Sequence, residues 1–84
     1  MFKVIFLEGW DRFYSKMDKP EKDRIMKKIE QLPILAGARH LKHGVPNFVT
    51  EAGQYRVCFR EEGDMRAVIF AGNHKQYEKW YKRQ

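Results

Sequence analysis

The stretch "QYRVCFREEGDMRAVIFAGN" (54–73) decides how this chain folds. Across 54–60, Tyr55, Val57 and Phe59 alternate with Arg56, Cys58 and Arg60, and a period of two marks a strand with one apolar face. Residues 61–65 carry the acids and the glycine of a tight reversal, and "RAVIFAG" (66–72) supplies the returning strand. Upstream, "NFVTE" (47–51) is short and β-prone, which extends the hairpin to a three-stranded antiparallel meander.

Ahead of Arg39 the period changes from two to about 3.6. Trp10, Phe13, Tyr14 and Met17 fall at i, i+3, i+4 and i+7, and predict a short helix over 9–17. Pro20 suits the first turn of a second helix, over 20–32, with Glu21 and Asp23 near its positive end and Ile25, Ile29 and Leu32 as its buried stripe. Pro33 disfavours helical geometry at Leu32, and Gly37 breaks what remains. At the start, "FKVIFL" (2–7) predicts a strand bounded by Glu8 and Gly9. At the other end, Asn73 and Gln76 have the spacing of a capping box, so a last helix is expected from about residue 74. The fold class is therefore α+β, one domain over 1–84: an N-terminal strand, a helical hairpin, a three-stranded meander completing a four-stranded sheet, and a C-terminal helix. The helical pair is expected to cover one face of the sheet and to leave the face of Arg56 and Arg60 open.

Eighty-four residues allow one small hydrophobic core, so any ligand site is expected to be shallow. Seventeen Lys and Arg against 11 Asp and Glu leave a net charge of +6, which favours an acidic partner such as nucleic acid, anionic lipid or an acidic protein. The single cysteine, Cys58, excludes an intrachain disulfide and a thiolate zinc cluster. His40, His43 and His74 lack companion ligands at any recognised spacing, so no metal is expected. No apolar run approaches the ~20 residues that span a bilayer. Met1 is followed by a strand pattern, not a secretory signal, and a cytoplasmic protein away from membranes is expected.

His74 falls in the first turn of the last helix, where the free N–H groups and the dipole favour an anion. An imidazole beside an anion site can carry protons near neutral pH; the alternative is a surface histidine that follows a cap. Tyr77, Trp80 and Tyr81 follow it among Lys75, Lys79, Lys82 and Arg83, a mixture able to stack bases and neutralise phosphates. For Trp80 the competing role is to dock the helix on the core. Arg56 and Arg60 place two fixed cations on one strand face, and Lys42, with Arg39 and His40 just before it, is expected to extend that basic surface.

Taken together, "QYRVCFREEGDMRAVIFAGNHKQY" resembles the strand–hairpin–strand core of the RelE/ParE superfamily of bacterial and archaeal toxins. "YRV" is similar to its recurrent signature, and "GNHKQYEKW" resembles the ending of many RelE-like and HigB-like members. The resemblance implies the toxin of a type II toxin–antitoxin system: a ribosome-dependent mRNA endonuclease (mRNA interferase) that inhibits translation. Such an enzyme enters the ribosomal A site beside 16S rRNA and needs no cofactor. It promotes attack of the RNA 2′-OH on the neighbouring phosphate. The implied partner is a cognate acidic antitoxin, through which alone operator DNA would be contacted. Arg56 matches the strand arginine at the scissile phosphate, and His74 the position of a catalytic histidine in some members. Lys42 matches a basic residue before the second sheet strand, and Tyr77, Trp80 and Tyr81 include the counterpart of a C-terminal aromatic. Catalytic roles are thus expected for Arg56, His74, Lys42 and Tyr77, and RNA contacts for Arg39, His40, Arg60, Lys75, Trp80, Tyr81 and Lys82. Glu51 departs from the pattern, standing where many relatives carry arginine; it either weakens phosphate binding or supplies a carboxylate base. The same superfamily holds gyrase inhibitors of the ParE kind, and a non-catalytic basic RNA-binding domain is the third reading.

Overall fold

Alternation in 54–72 produces the expected hairpin, and everything else is arranged around it. The computed structural model describes residues 1–41 and 47–83. In chain order the elements are β1 (Lys3–Phe6), a single 3-10 turn at Tyr14–Lys16, α1 (Lys19–Gln31), β2 (Arg39–His40), β3 (Asn47–Ala52), β4 (Tyr55–Glu62), β5 (Met65–Asn73) and α2 (His74–Lys82). The sheet runs β1-β5-β4-β3-β2, with β1 parallel to β5 and the other pairs antiparallel. The α+β class and the meander are as the sequence predicts.

Three details are corrected. The sheet has five strands, not four, because Arg39 and His40 pair with Val49 and Phe48. Two residues are too few for an alternation to announce them. The helix expected over 9–17 is replaced by turns and one 3-10 turn, so there is no helical hairpin. The reason lies in where its apolar residues go: Trp10, Tyr14 and Met17 pack against the core under α1, whereas Phe13 packs against the core under α2. One helix face cannot serve both sides of a sheet. Finally, the face carrying Arg56 and Arg60 is not open throughout. Val49, Cys58 and Phe70 form a second buried cluster there, covered by Tyr77 and Trp80 of α2.

Helix α1 starts one residue before Pro20, at a capping box in which the Asp18 carboxylate accepts from the Glu21 N–H at 3.0 Å and the Asp18 N–H donates to Glu21 Oε1 at 3.3 Å. It stops at Gln31, and its stripe of Ile25 and Ile29, with Leu32 beyond, is buried against Tyr55, Val57, Phe59, Val68 and Ala71.

A bulge between Cys58 and Phe59 skips Ile69: Cys58 pairs with Phe70, and Phe59 with Val68. It reverses the parity of β5, so that Val68 and Ala71 serve the first core while Phe70 serves the second. Past the bulge, Arg56 lies beside Gly72. A Cβ on Gly72 would come within 2.6 Å of the Phe70 ring and 2.9 Å of Gln76 Oε1, so only glycine lets α2 start against the sheet.

Arg66 ties the N-terminal half to β5. Its guanidinium is buried and donates to the carbonyls of Leu32 (2.7 Å) and Leu35 (2.8 Å) and to Glu61 (3.1 Å), with the Phe2 ring 3.9 Å away. Arg66→Ala is expected to cost about 3 kcal/mol, since it strands the Glu61 carboxylate and two carbonyls. The measurement is the urea midpoint at unchanged slope; a loss below about 1 kcal/mol would mean that these carbonyls find other partners.

Candidate active-site cleft

At the end of the sheet where β4 begins and β5 ends, the first turns of α1 and α2 approach each other. Between them is a cleft of about 560 Å³, lined by Glu21, Gln54, Tyr55, Arg56, Asn73, His74 and Lys75. The capping box expected at Asn73 sets its far wall: the Asn73 side chain accepts from the Gln76 N–H at 2.8 Å, and the Asn73 N–H donates to Gln76 Oε1 at 2.9 Å. That cap puts His74 and Lys75 in the first turn of α2.

Arg56 is held more firmly than a surface arginine. Its Nη1 donates to the carbonyls of Gly53 and Tyr55, both at 3.1 Å, and its side chain is only 14% exposed. Gly53 has a φ of +62°, a turn geometry that favours glycine and aims its carbonyl back at Arg56. Glu51, the cross-strand partner of Arg56, sets its Oε1 3.7 Å from Arg56 Nε and 3.2 Å from Arg39 Nη2. The Glu51 carboxylate therefore lies between two guanidinium groups and fixes both.

His74 continues the chain of contacts. Its Nδ1 lies 3.5 Å from Arg56 Nη2, and its Nε2 lies 2.8 Å from Glu78 Oε1. Arginine can only donate and a carboxylate can only accept, so these partners assign the lone pair to Nδ1 and the proton to Nε2. Glu78, at i+4, orients the ring. On the cleft floor, Tyr55 donates its phenol to Glu21 Oε2 at 2.8 Å. That hydrogen bond first, and burial second, push the Tyr55 phenol above its ordinary range, which keeps it a donor.

Of the residues singled out from sequence, Arg56, His74 and Lys75 share the cleft, and Arg39 joins them through Glu51. Tyr77 lies half-buried in the second core; burial above all pushes its phenol up, and the charges of Arg39 and Arg56 reach it. Tyr81 donates to the Leu41 carbonyl at 3.0 Å, which fastens α2 to the segment after β2. Trp80 stacks on Phe70 at 4.8 Å, beside a separate groove of about 330 Å³ rimmed by Arg12, Lys79 and Arg83. His40 packs on Phe48 at 4.2 Å, and Lys82 is exposed at the end of α2. Arg60 lies toward the other end of β4, paired with Glu62 at 2.7 Å, and does not join Arg56. The expectations for Lys42 and His43 lie outside the described residues. Sequence reasoning did not find Glu78, Gln54 or Glu21 as parts of the site. Glu78 alone left a signal, its i+4 spacing from His74. Among the described residues, no cluster of three His, Cys, Asp or Glu is placed to hold a metal ion, and no helix is long and apolar enough to cross a membrane.

No family model and no curated protein sequence matches the chain. A solved structure does: the RelB–RelE antitoxin–toxin complex from Methanococcus jannaschii, with a TM-score of 0.69 over 92% of this chain and 98% of that one, at 12% sequence identity. Neither the five-stranded mixed sheet nor the two helices depart from that comparison, and the fold of this chain is RelE-like.

Proposed function

We propose that this chain is the toxin of a type II toxin–antitoxin system and an endoribonuclease that cuts mRNA in the ribosomal A site, beside 16S rRNA. The observation that carries this reading is the contact between Arg56 and His74. A guanidinium locked by two backbone carbonyls stands 3.5 Å from an imidazole Nδ1, at the wall of a cleft that also holds Lys75. A fixed fork for phosphate oxygens beside a proton carrier is what transesterification by the RNA itself requires.

In the reaction the 2′-oxygen attacks the adjacent phosphorus and the bond from phosphorus to the 5′-oxygen breaks. A 2′,3′-cyclic phosphate and a 5′-hydroxyl are left. Arg56 turns from His74 to the phosphate and neutralises the charge that gathers on the phosphorane oxygens. The freed Nδ1 then faces the reacting atoms, where it takes the proton of the 2′-OH or, once protonated, gives one to the leaving 5′-oxygen. Glu78 holds the ring through either step. Glu51 positions Arg56, and Lys75 and Arg39 add attraction for the strand. Tyr77 and Lys42 are proposed for the catalytic roles expected of them, and the remaining cations and aromatics of α2 for contacts with RNA. The net charge of +6 suits both a nucleic acid and an acidic antitoxin, and the solved RelE structure was found with RelB. Both partners are cytoplasmic, and operator DNA is reached only through the antitoxin.

Inducing the chain in cells and mapping mRNA 5′ ends tests the reading. New 5′ ends are expected inside translated codons, in phase with the reading frame, and absent when initiation is blocked. Growth arrest with intact mRNA and altered DNA supercoiling would overturn it in favour of a gyrase inhibitor.

A further inference from the structure

The β3–β4 turn separates two hollows. On one side is the Arg56–His74 cleft, to which the turn contributes Gln54. On the other is a depression of about 300 Å³ lined by Arg24, Lys27, Ala52 and Gly53. A Cβ built on Gly53 would meet nothing within 4 Å, so there is open space beside that residue of the turn.

Arg24 and Lys27 lie three residues apart on α1, and that spacing makes them neighbours on the helix surface. Both are exposed, and among the described residues neither belongs to an ion pair. Two of the acids on the same helix are already engaged, Asp23 with Lys19, and Glu21 with Tyr55 and the Asp18 N–H. The four arginines of the strands, by contrast, are paired: Arg39 and Arg56 with Glu51, Arg60 with Glu62 and Arg66 with Glu61. Arg24 also reaches the cleft through its field. The Tyr55 phenol is pushed up by its bond to Glu21 and by burial, and the Arg24 charge opposes that rise.

We infer that Arg24 and Lys27 form a second phosphate-binding subsite, which holds an RNA strand after it leaves the Arg56–His74 cleft and crosses the Gly53–Gln54 turn. The inference rests on the nuclease reading and extends it. Attack by a 2′-oxygen needs that atom, the phosphorus and the leaving 5′-oxygen in line, which an extended strand does not provide. A strand gripped on both sides of a turn is bent over it, so the second subsite helps impose the alignment that the cleft uses.

The test measures binding, not cleavage, and therefore does not depend on the reaction. RNA oligonucleotides of graded length, 2′-O-methylated so that they cannot be cut, are titrated against the wild-type chain and R24A/K27A, with R24K/K27R as the charge-preserving control. For the wild type and the control, affinity is expected to rise with length until the strand spans both hollows. R24A/K27A should keep its affinity for the shortest strands and lose the gain from length. Its salt slope on the longer strands should be shallower by about 1.4, because each lost phosphate contact removes ~0.7 on single strands. Equal length dependence and equal slope in wild type and R24A/K27A would overturn the subsite. So would RNA binding that stays unchanged while ribosome binding weakens, which would assign the pair to ribosomal RNA or protein. If instead the oligonucleotide result holds and no mRNA is cut in cells, the nuclease reading fails and the RNA track stands.

Discussion

Arg56→Ala is expected to slow single-turnover cleavage on programmed ribosomes by about 10²–10³-fold, the usual effect of removing one preorganised donor to a developing oxyanion. Ribosome binding should change far less, because many cations share that attraction, whereas the role proposed for Arg56 is at the scissile phosphate. The two carbonyl bonds through Nη1 leave the Nη2 edge free to exchange His74 for phosphate oxygens. Arg56→Lys should recover little, since an ammonium cannot hold the turn and fork a phosphate at once. Circular dichroism and the unfolding midpoint provide the control that the fold persists. If Arg56→Ala cut at the wild-type rate with ribosomes saturating, the assignment of Arg56 to the transition state would be wrong.

His74→Ala should reduce the same step by about 10²–10⁴-fold, the range for a positioned acid or base. Glu78→Gln keeps a hydrogen bond to Nε2 and with it the orientation of the ring, so its effect on the rate should be smaller. A Glu78 that only supports the fold would lower the unfolding midpoint and leave the cleavage rate in place. An unchanged rate in His74→Ala at saturation would leave the histidine as a neighbour of the helix cap and nothing more. Lys79→Ala and Lys82→Ala, on the exposed side of α2, should weaken toxicity only in part.

Much of the fold was legible because local rules and tertiary demands agree in β4, β5, α1 and α2. The Tyr55, Val57 and Phe59 alternation, the stripe of Ile25, Ile29 and Leu32, and the Asn73 cap each state one requirement, and the structure meets it. Where two demands conflict in one segment, sequence misleads. Helical spacing over Trp10, Phe13, Tyr14 and Met17 implies a shared face, but Phe13 serves the opposite side of the sheet from the others. Cys58 sits between two arginines, which makes its face read as solvent until α2 is seen to close over it. The site divides along the same line. Arg56, His74 and Lys75 carry their chemistry in their type and position. Glu21 and Gln54 reach the cleft only because α1 begins there and the β3–β4 turn lies there, which no spacing near Arg56 records.

The pairing of β1 with β5 has a consequence for the order in which the protein can come into being. Lys3 to Phe6 find their partners at Met65 to Val68, so β1, made before the other strands of this sheet, is paired only once β5 has followed. A nascent chain that holds β1 and α1 alone has an unmatched strand edge and no surface on which to bury Ile25 and Ile29. Pairing across so long a stretch of chain is also slow, since the closure entropy is lost before any contact compensates for it. Arg56 and His74, carried on β4 and α2, meet only after β5 has been synthesised between them. A partner that recognises the finished cleft would thus have nothing to bind on the growing chain, whereas one that pairs with the bare edge of β1 could engage it much earlier.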